Sequence, residues 1–168
     1  STKPDAHGLT VLPLWAGERS TGWHENARGM INGLHLNTSS DEIIRGTLEG
    51  MCYRFAAIHD IFIRQNMNVK KIIASGGGFI DSAELTQIMS DVLGIAITQS
   101  GEAEGSARGA AILALEGIGQ VSNIAEVPMP IGRTFNPNVE HHEIYKKARE
   151  RQNAMYELTA KRWWEKGM

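Results

Sequence analysis

The chemistry this sequence can offer is concentrated at Gly76-Gly77-Gly78. Three successive residues without a Cβ permit positive φ and let a ligand approach the main chain closely. Before them, Ile72-Ile73-Ala74 is a short apolar run with β-branched residues, which predicts a buried strand. After them, Leu85, Ile88, Met89, Val92 and Leu93 follow the spacing of one buried helix face. Asp81 and Glu84 stand as N-cap and capping partner of that helix, and Gly94 ends it. A strand, a glycine turn and a helix start aim unpaired N–H groups at one point, which suits the phosphates of a nucleotide. A tight turn with nothing bound uses the same glycines. Neither the lysine and Ser/Thr of a Walker A loop nor a G-x-G-x-x-G order accompanies them.

The elements that must position this turn alternate along the chain. Ser39 and Glu42 form a capping-box pair ahead of a helix predicted from about Asp41 to Arg64. Ile44, Leu48, Met51, Cys52, Phe55, Ile58 and Phe62 give that helix a broad apolar face, which needs a sheet or other helices against it. Ile95 to Thr98 reads as a second strand, so helix, strand, helix and strand alternate as in an α/β layer with parallel pairing. A further helix starts near Ser106. Its small residues Ala107, Gly109, Ala110, Ala111 and Ala114 predict close packing on a neighbouring helix, with a bound ligand as the alternative.

The remaining segments are less regular. Residues 1–10 read as a polar tail or linker, and Pro13 marks Val11 to Trp15 as an edge strand or loop. The loop from Gly17 to Trp23 mixes Glu18, Arg19 and Trp23, as a cleft lining or an arginine lying over a surface tryptophan would. Arg28 to Leu34 fits a short strand broken by glycine. Residues 117–135 read as an irregular crossing, after which Asn136 and Pro137 start a charged helix running to about Trp164. Ile144, Tyr145, Ala148, Met155, Leu158 and Trp163 mark its drier side.

Composition excludes several classes. The chain has 168 residues, 42% hydrophobic and 21% charged, which describes a globular chain rather than a disordered one. A net charge of -2 without a dense basic run argues against a nucleic-acid partner, and no apolar stretch reaches membrane-spanning length. No signal-peptide pattern opens the sequence, so a cytoplasmic location is the default expectation. The single cysteine, Cys52, forms no internal disulfide and is expected to be a buried packing residue. His141-His142-Glu143 are sequence neighbours that point in different directions on a helix, so a solvated face rather than a metal site is expected.

Two blocks then carry a resemblance. Gly29-Met30-Ile31-Asn32-Gly33-Leu34, a seven-residue gap and Glu42-Ile43-Ile44-Arg45-Gly46-Thr47-Leu48-Glu49 resemble the second signature of the FGGY carbohydrate kinases, with Gly46 where alanine or serine is usual. Leu12 to Gly29 is similar to the segment before that signature, and Ser75 to Gly94 to the family's nucleotide-binding loop and helix. The resemblance implies an actin-like, ribonuclease-H-like α/β fold and transfer of the ATP γ-phosphate to a sugar hydroxyl, with Mg2+. Counting back from Gln87, it places Gly78 on the glycine that meets the nucleotide phosphates and Ser82 on the adenine side, with Gly77 shaping the same turn, so that Gly76, Gly77, Gly78 and Ser82 are the expected nucleotide-binding residues. Phe79 and Ile80 are bulkier than the family's residues there. The family's catalytic aspartate, first phosphate loop and sugar contacts lie in an N-terminal domain that has no counterpart here, so no catalytic residue is assigned and the sugar would come through that domain.

The expected division is therefore a tail over 1–10, a partial C-terminal nucleotide-binding domain over 11–135 and a C-terminal helix over 136–168. The expected function is the C-terminal part of a sugar kinase of gluconate or xylulose type. A non-catalytic nucleotide-binding or assembly module is the alternative. Apolar surface on the Asp41 to Arg64 helix would also permit a homo-oligomer.

Overall fold

The computed structural model describes residues 3–165, with side chains through residue 159. The chain divides into two compact units, one of Ser1–Val69, Asp91–Gly94 and Pro137–Met168, the other of Lys70–Ser90 and Ile95–Asn136.

In the first unit, β1 (Thr10–Leu12) and β2 (Met30–Asn32) form an antiparallel pair with Val11 opposite Ile31. Helices α1 (Ser40–Arg64) and α5 (Val139–Glu165) pack against β1. The capping box holds: Ser39 Oγ accepts from Glu42 N–H at 3.3 Å, and the Glu42 carboxylate accepts from Ser39 N–H at 2.8 Å. The buried face of α1 differs from the expected one. Cys52 is fully buried, but Ile44 is 59% exposed, and Phe55 and Phe62 are also exposed. Buried in their place are Arg45, Glu49, Tyr53, Arg54 and Ala56, along with Gly46 and Gly50. The reason is steric and polar together. A Cβ on Gly50 would lie 2.6 Å from the Val11 carbonyl oxygen, so this glycine face is the one that can approach β1, and the ionic residues beside it find partners there.

Other expectations for this unit are also corrected. Within the segment expected to be a tail, His7, Leu9 and Thr10 are buried, at 9%, 3% and 8% exposure, because they lie where β1 meets α1, while Lys3, Ala6 and Gly8 are exposed. Ser1 and Thr2 are outside the described residues. Helix α5 is capped by Asn138, whose Oδ1 accepts from His141 N–H at 3.1 Å, rather than by Asn136. Its buried stripe is Tyr145, Ala148, Gln152 and Tyr156; Ile144 and Leu158 are exposed, and the Trp163 side chain lies outside the described residues. His141 and His142 are half-buried and Glu143 is exposed, and both histidines are hydrogen-bonded. His141 Nδ1 lies 2.9 Å from an Asp91 carboxylate oxygen and His142 Nδ1 lies 2.8 Å from the Asp91 carbonyl, which tethers the start of α5.

In the second unit, β3 (Ile72–Ala74) leads into a single helical turn, α2 (Gly77–Ile80), and then α3 (Ala83–Leu93). Strand β4 (Ile97–Ser100), helix α4 (Gly105–Gly117) and strand β5 (Ile131–Phe135) follow. The sheet order is β3-β4-β5, with β3 parallel to β4 and β5 antiparallel to it. The layer is thus mixed. Residues 131–135, expected to be irregular, form a strand whose residues are exposed except Phe135, so no apolar alternation announces it. As an end strand β3 is only half-buried, whereas Leu85, Ile88 and Met89 of α3 are buried as their spacing requires.

Helix α3 is capped by Ser82, not Asp81: Ser82 Oγ accepts from Leu85 N–H at 3.1 Å, while Asp81 closes α2. Replacing Ser82 with alanine is expected to cost about 1 kcal/mol of stability in this unit, read from the urea unfolding midpoint. An unchanged midpoint would remove Ser82 from that role. None of the α4 residues is buried, so the close packing expected of its small residues does not occur within this unit.

Candidate functional site

The triglycine turn is open. Gly76, Gly77 and Gly78 are all exposed. Gly76 has φ +93°, a conformation that needs glycine, and a Cβ on Gly76 or Gly78 would meet nothing within 4 Å. Gly76 uses its carbonyl to accept from Phe79 and Ile80 N–H, both at 3.1 Å. Among the described residues, no hydrogen bond occupies the N–H of Gly76, Gly77 or Gly78. Three donors therefore face solvent in succession, which is what an anion needs from main chain.

The turn is braced from behind. Fully buried Thr86 sets its hydroxyl 2.9 Å from the Phe79 carbonyl, and the Gln99 side-chain amide Nε2 donates to the same oxygen and to Thr86 Oγ1 at 3.2 Å. Residue 79 is thus pinned to α3 and β4, and the glycines before it are held by their successor. Phe79 and Ile80 are half-buried, so much of their bulk is taken into the protein. Ser82, four residues beyond Gly78, spends a lone pair on Leu85 N–H and keeps its proton free to donate. An open cleft of about 650 Å³ in the same unit is lined by Ser75 and Gly76, Ser100, Glu104 and Arg108, but not by Gly77, Gly78 or Ser82.

The first unit holds two buried ionic networks that sequence reading did not single out. Glu49, fully buried on α1, accepts from Arg45 Nε at 2.6 Å, His7 Nε2 at 3.1 Å, Tyr145 OH at 3.1 Å, Tyr53 OH at 3.3 Å and Asp5 N–H at 3.3 Å. His7 Nδ1 accepts from Leu9 N–H at 2.9 Å, which leaves Nε2 to donate to Glu49. Asp5 in turn receives both guanidinium nitrogens of Arg151, at 2.9 and 2.5 Å. Ligand atoms of Asp5, His7 and Glu49 lie within 4.8 Å of one another, yet each group already has protein partners, so hydrogen bonding alone accounts for the cluster. The i, i+4 spacing of Arg45 and Glu49 was the one available sequence signal.

The second network fixes the loop from Gly17 to Trp23. Glu18 is 3% exposed and accepts from Arg54 Nη2 at 2.5 Å, Tyr156 OH at 2.6 Å and Thr21 N–H at 3.0 Å. Arg54 also stacks 4.3 Å from the Tyr156 ring centre, a contact between α1 and α5 rather than the arginine over a surface tryptophan expected of the loop, and Trp23 is 71% exposed. Burial pushes the Glu49 and Glu18 carboxyls up, but their hydrogen bonds and arginine partners outweigh it and hold both below the usual range. Burial raises the Cys52 thiol well above its ordinary value, in keeping with a packing role. A carboxylate depressed on folding stabilises the protein above its unfolded pKa and loses that contribution as pH falls through the folded value. The first unit is therefore expected to hold its urea midpoint from neutral pH down to about pH 4.3, the ordinary glutamate value, and to lose it below. An acid limb unaffected by Glu18→Gln would contradict this assignment.

Among the described residues, a glycine turn without hydrogen bonds on its N–H groups stands between a strand and a helix of a mixed α/β unit. Residues 1–117 match the family model described as "FGGY family of carbohydrate kinases, C-terminal domain", and the chain belongs to that family. It is 29% identical over 162 residues to a xylulose kinase of Staphylococcus epidermidis, covering 95% of this chain and 32% of the relative. It is 32% identical over 127 residues to a glycerol kinase of Coxiella burnetii, covering 76% and 25%. The fold is that of a gluconate kinase from Lactobacillus acidophilus, with a TM-score of 0.83 at 22% identity over 98% of this chain and 34% of that one. A xylulose kinase from Rhodospirillum rubrum gives 0.77 at 27% identity, covering 92% and 31%. The fold is therefore part of an actin-like ATPase fold, and the chain spans about a third of the length of these relatives. Among the described residues no helix is long and apolar enough to cross a membrane.

Proposed function

We propose that this chain is the C-terminal part of an ATP-dependent carbohydrate kinase, of gluconate or xylulose type, and that it supplies one wall of the nucleotide site. The observation that carries the reading is the exposed Gly76-Gly77-Gly78 turn, with its N–H groups unclaimed and its backbone braced by Thr86 and Gln99. Those amides would hold phosphate oxygens of ATP, and the Ser82 hydroxyl would donate on the adenine side. Mg2+ would neutralise the phosphates and be held largely through the nucleotide. Phosphoryl transfer further needs a base for the attacking hydroxyl, and that base and the sugar contacts would come from the remaining two thirds of a protein the length of the relatives. Work in the cytoplasm, where ATP is available, fits this role.

The test is a coupled assay on the full-length protein with Mg-ATP and a panel containing gluconate, xylulose and glycerol. ADP release that depends on one of these acceptors is expected. Tight nucleotide binding with no acceptor-dependent turnover would replace the kinase reading with that of a non-catalytic nucleotide-binding module.

A further inference from the structure

Position 86 lies on the buried side of α3 beside Leu85, where an apolar residue would serve the packing, yet it holds a threonine with 0% exposure. A buried hydroxyl is costly unless it is hydrogen-bonded, so its partners show what it is for. Thr86 Oγ1 lies 2.9 Å from the Phe79 carbonyl oxygen and 3.1 Å from that of Ser82. Its one proton can go to only one of them at a time. Gln99 resolves the competition, because Nε2 carries two protons: one goes to the Phe79 oxygen and the other to Thr86 Oγ1 at 3.2 Å, which leaves the threonine proton for Ser82.

The sheet sets Gln99 where this is possible. Gln99 stands opposite Ala74 in the β3–β4 ladder, at the residue where β3 gives way to the glycine turn. The register of β4 with β5 shifts between Thr98 and Ser100, so Gln99 lies at a bulge, a feature by which sheets redirect a side chain.

We propose that Thr86 and Gln99 are positioning residues for the nucleotide: their relay ties residue 79, next to Gly78, and residue 82 to one fixed point, and so sets the separation of the phosphate and adenine contacts. The inference rests on the reading of this turn as one wall of a nucleotide site. A turn without the relay spends part of its time in arrangements that cannot hold both ends of the ligand, and affinity falls in proportion to the competent fraction.

Calorimetric titration of the full-length protein with Mg-ADP, beside amide hydrogen exchange without nucleotide, tests this. Thr86→Val keeps the side-chain shape and removes the hydroxyl, and Gln99→Leu removes the amide. Each is expected to weaken Mg-ADP binding about tenfold, as a competent fraction of about one tenth requires, while Thr86→Ser binds as the unmodified protein does. In the nucleotide-free protein the amides of Phe79, Ile80 and Asp81, which close the turn on the Gly76 and Gly77 carbonyls, are expected to exchange about tenfold faster in Thr86→Val, while those of Ile88 and Met89 keep their rates. A purely structural role would lower the melting temperature and leave the affinity of the folded protein unchanged, and that result would overturn the proposal. So would unaltered exchange at residues 79–81. Absence of Mg-ADP binding by the unmodified protein would remove the nucleotide reading itself, whereas undiminished binding by Thr86→Val and Gln99→Leu removes only the relay.

Discussion

Gly78→Val in the full-length protein is expected to weaken ATP and ADP binding by about 100-fold, or roughly 2.7 kcal/mol, without changing the melting temperature. The separation of effects follows from the geometry. Gly78 is not in the left-handed region, and the space where its Cβ would stand is empty, so the fold has no objection to a side chain. A polyphosphate seated on the amides of the turn would need that same space, and a branched side chain removes it. Gly76 makes a useful contrast, since at φ +93° any side chain strains the backbone. Gly76→Val is therefore expected to lower both binding and stability. Isothermal titration calorimetry with thermal melts of the two variants separates these cases. Binding by Gly78→Val equal to that of the unmodified protein would place the phosphates elsewhere.

Glu49→Gln is expected to cost about 3–5 kcal/mol of stability in the first unit, a large share of what a domain has. The carboxylate is the single acceptor on which Arg45, His7, Tyr53 and Tyr145 converge, and it is fully buried. An amide of the same shape would neutralise it, leave the Arg45 guanidinium without its counter-charge and bring two N–H donors against a ring of donors. Urea unfolding followed by tyrosine fluorescence measures this, and Arg45→Lys should recover only part of the loss incurred by Arg45→Ala, because Nε and Nη2 reach two different partners. A cost below about 1 kcal/mol for Glu49→Gln would mean that the network does not hold the unit together.

How much of this was legible beforehand depended on whether a signal was local. The capping box at Ser39, the apolar face of α3 and the strand–glycine–helix order around Gly76 are written in short spacings, and all three are present in the structure. The buried face of α1 was not legible in this way. Periodicity marks Ile44, Phe55 and Phe62 as the face to bury, but within this chain the partners are β1 and α5, and they meet the side bearing Gly50 and Glu49. The network at Glu49 draws on residues 5, 7, 45, 53 and 145, a set that only tertiary structure assembles. The cap of α3 was misplaced by one residue because Asp81 and Ser82 are both good capping types, and the extra turn α2 uses up Asp81 first. Strand β5 was missed because it buries Phe135 alone. The open turn itself could not be foreseen, since glycines permit exposure without requiring it.

Amide-resolved NMR of the 15N-labelled chain during titration with Mg-ADP is the most direct examination of the turn. The expected result is saturable shifts concentrated at the amides of Gly76, Gly77 and Gly78, with Ser82 following, while the amides around Glu49 stay still. Saturable binding whose shifts bypass all three glycines would contradict the assignment of this turn to the nucleotide phosphates.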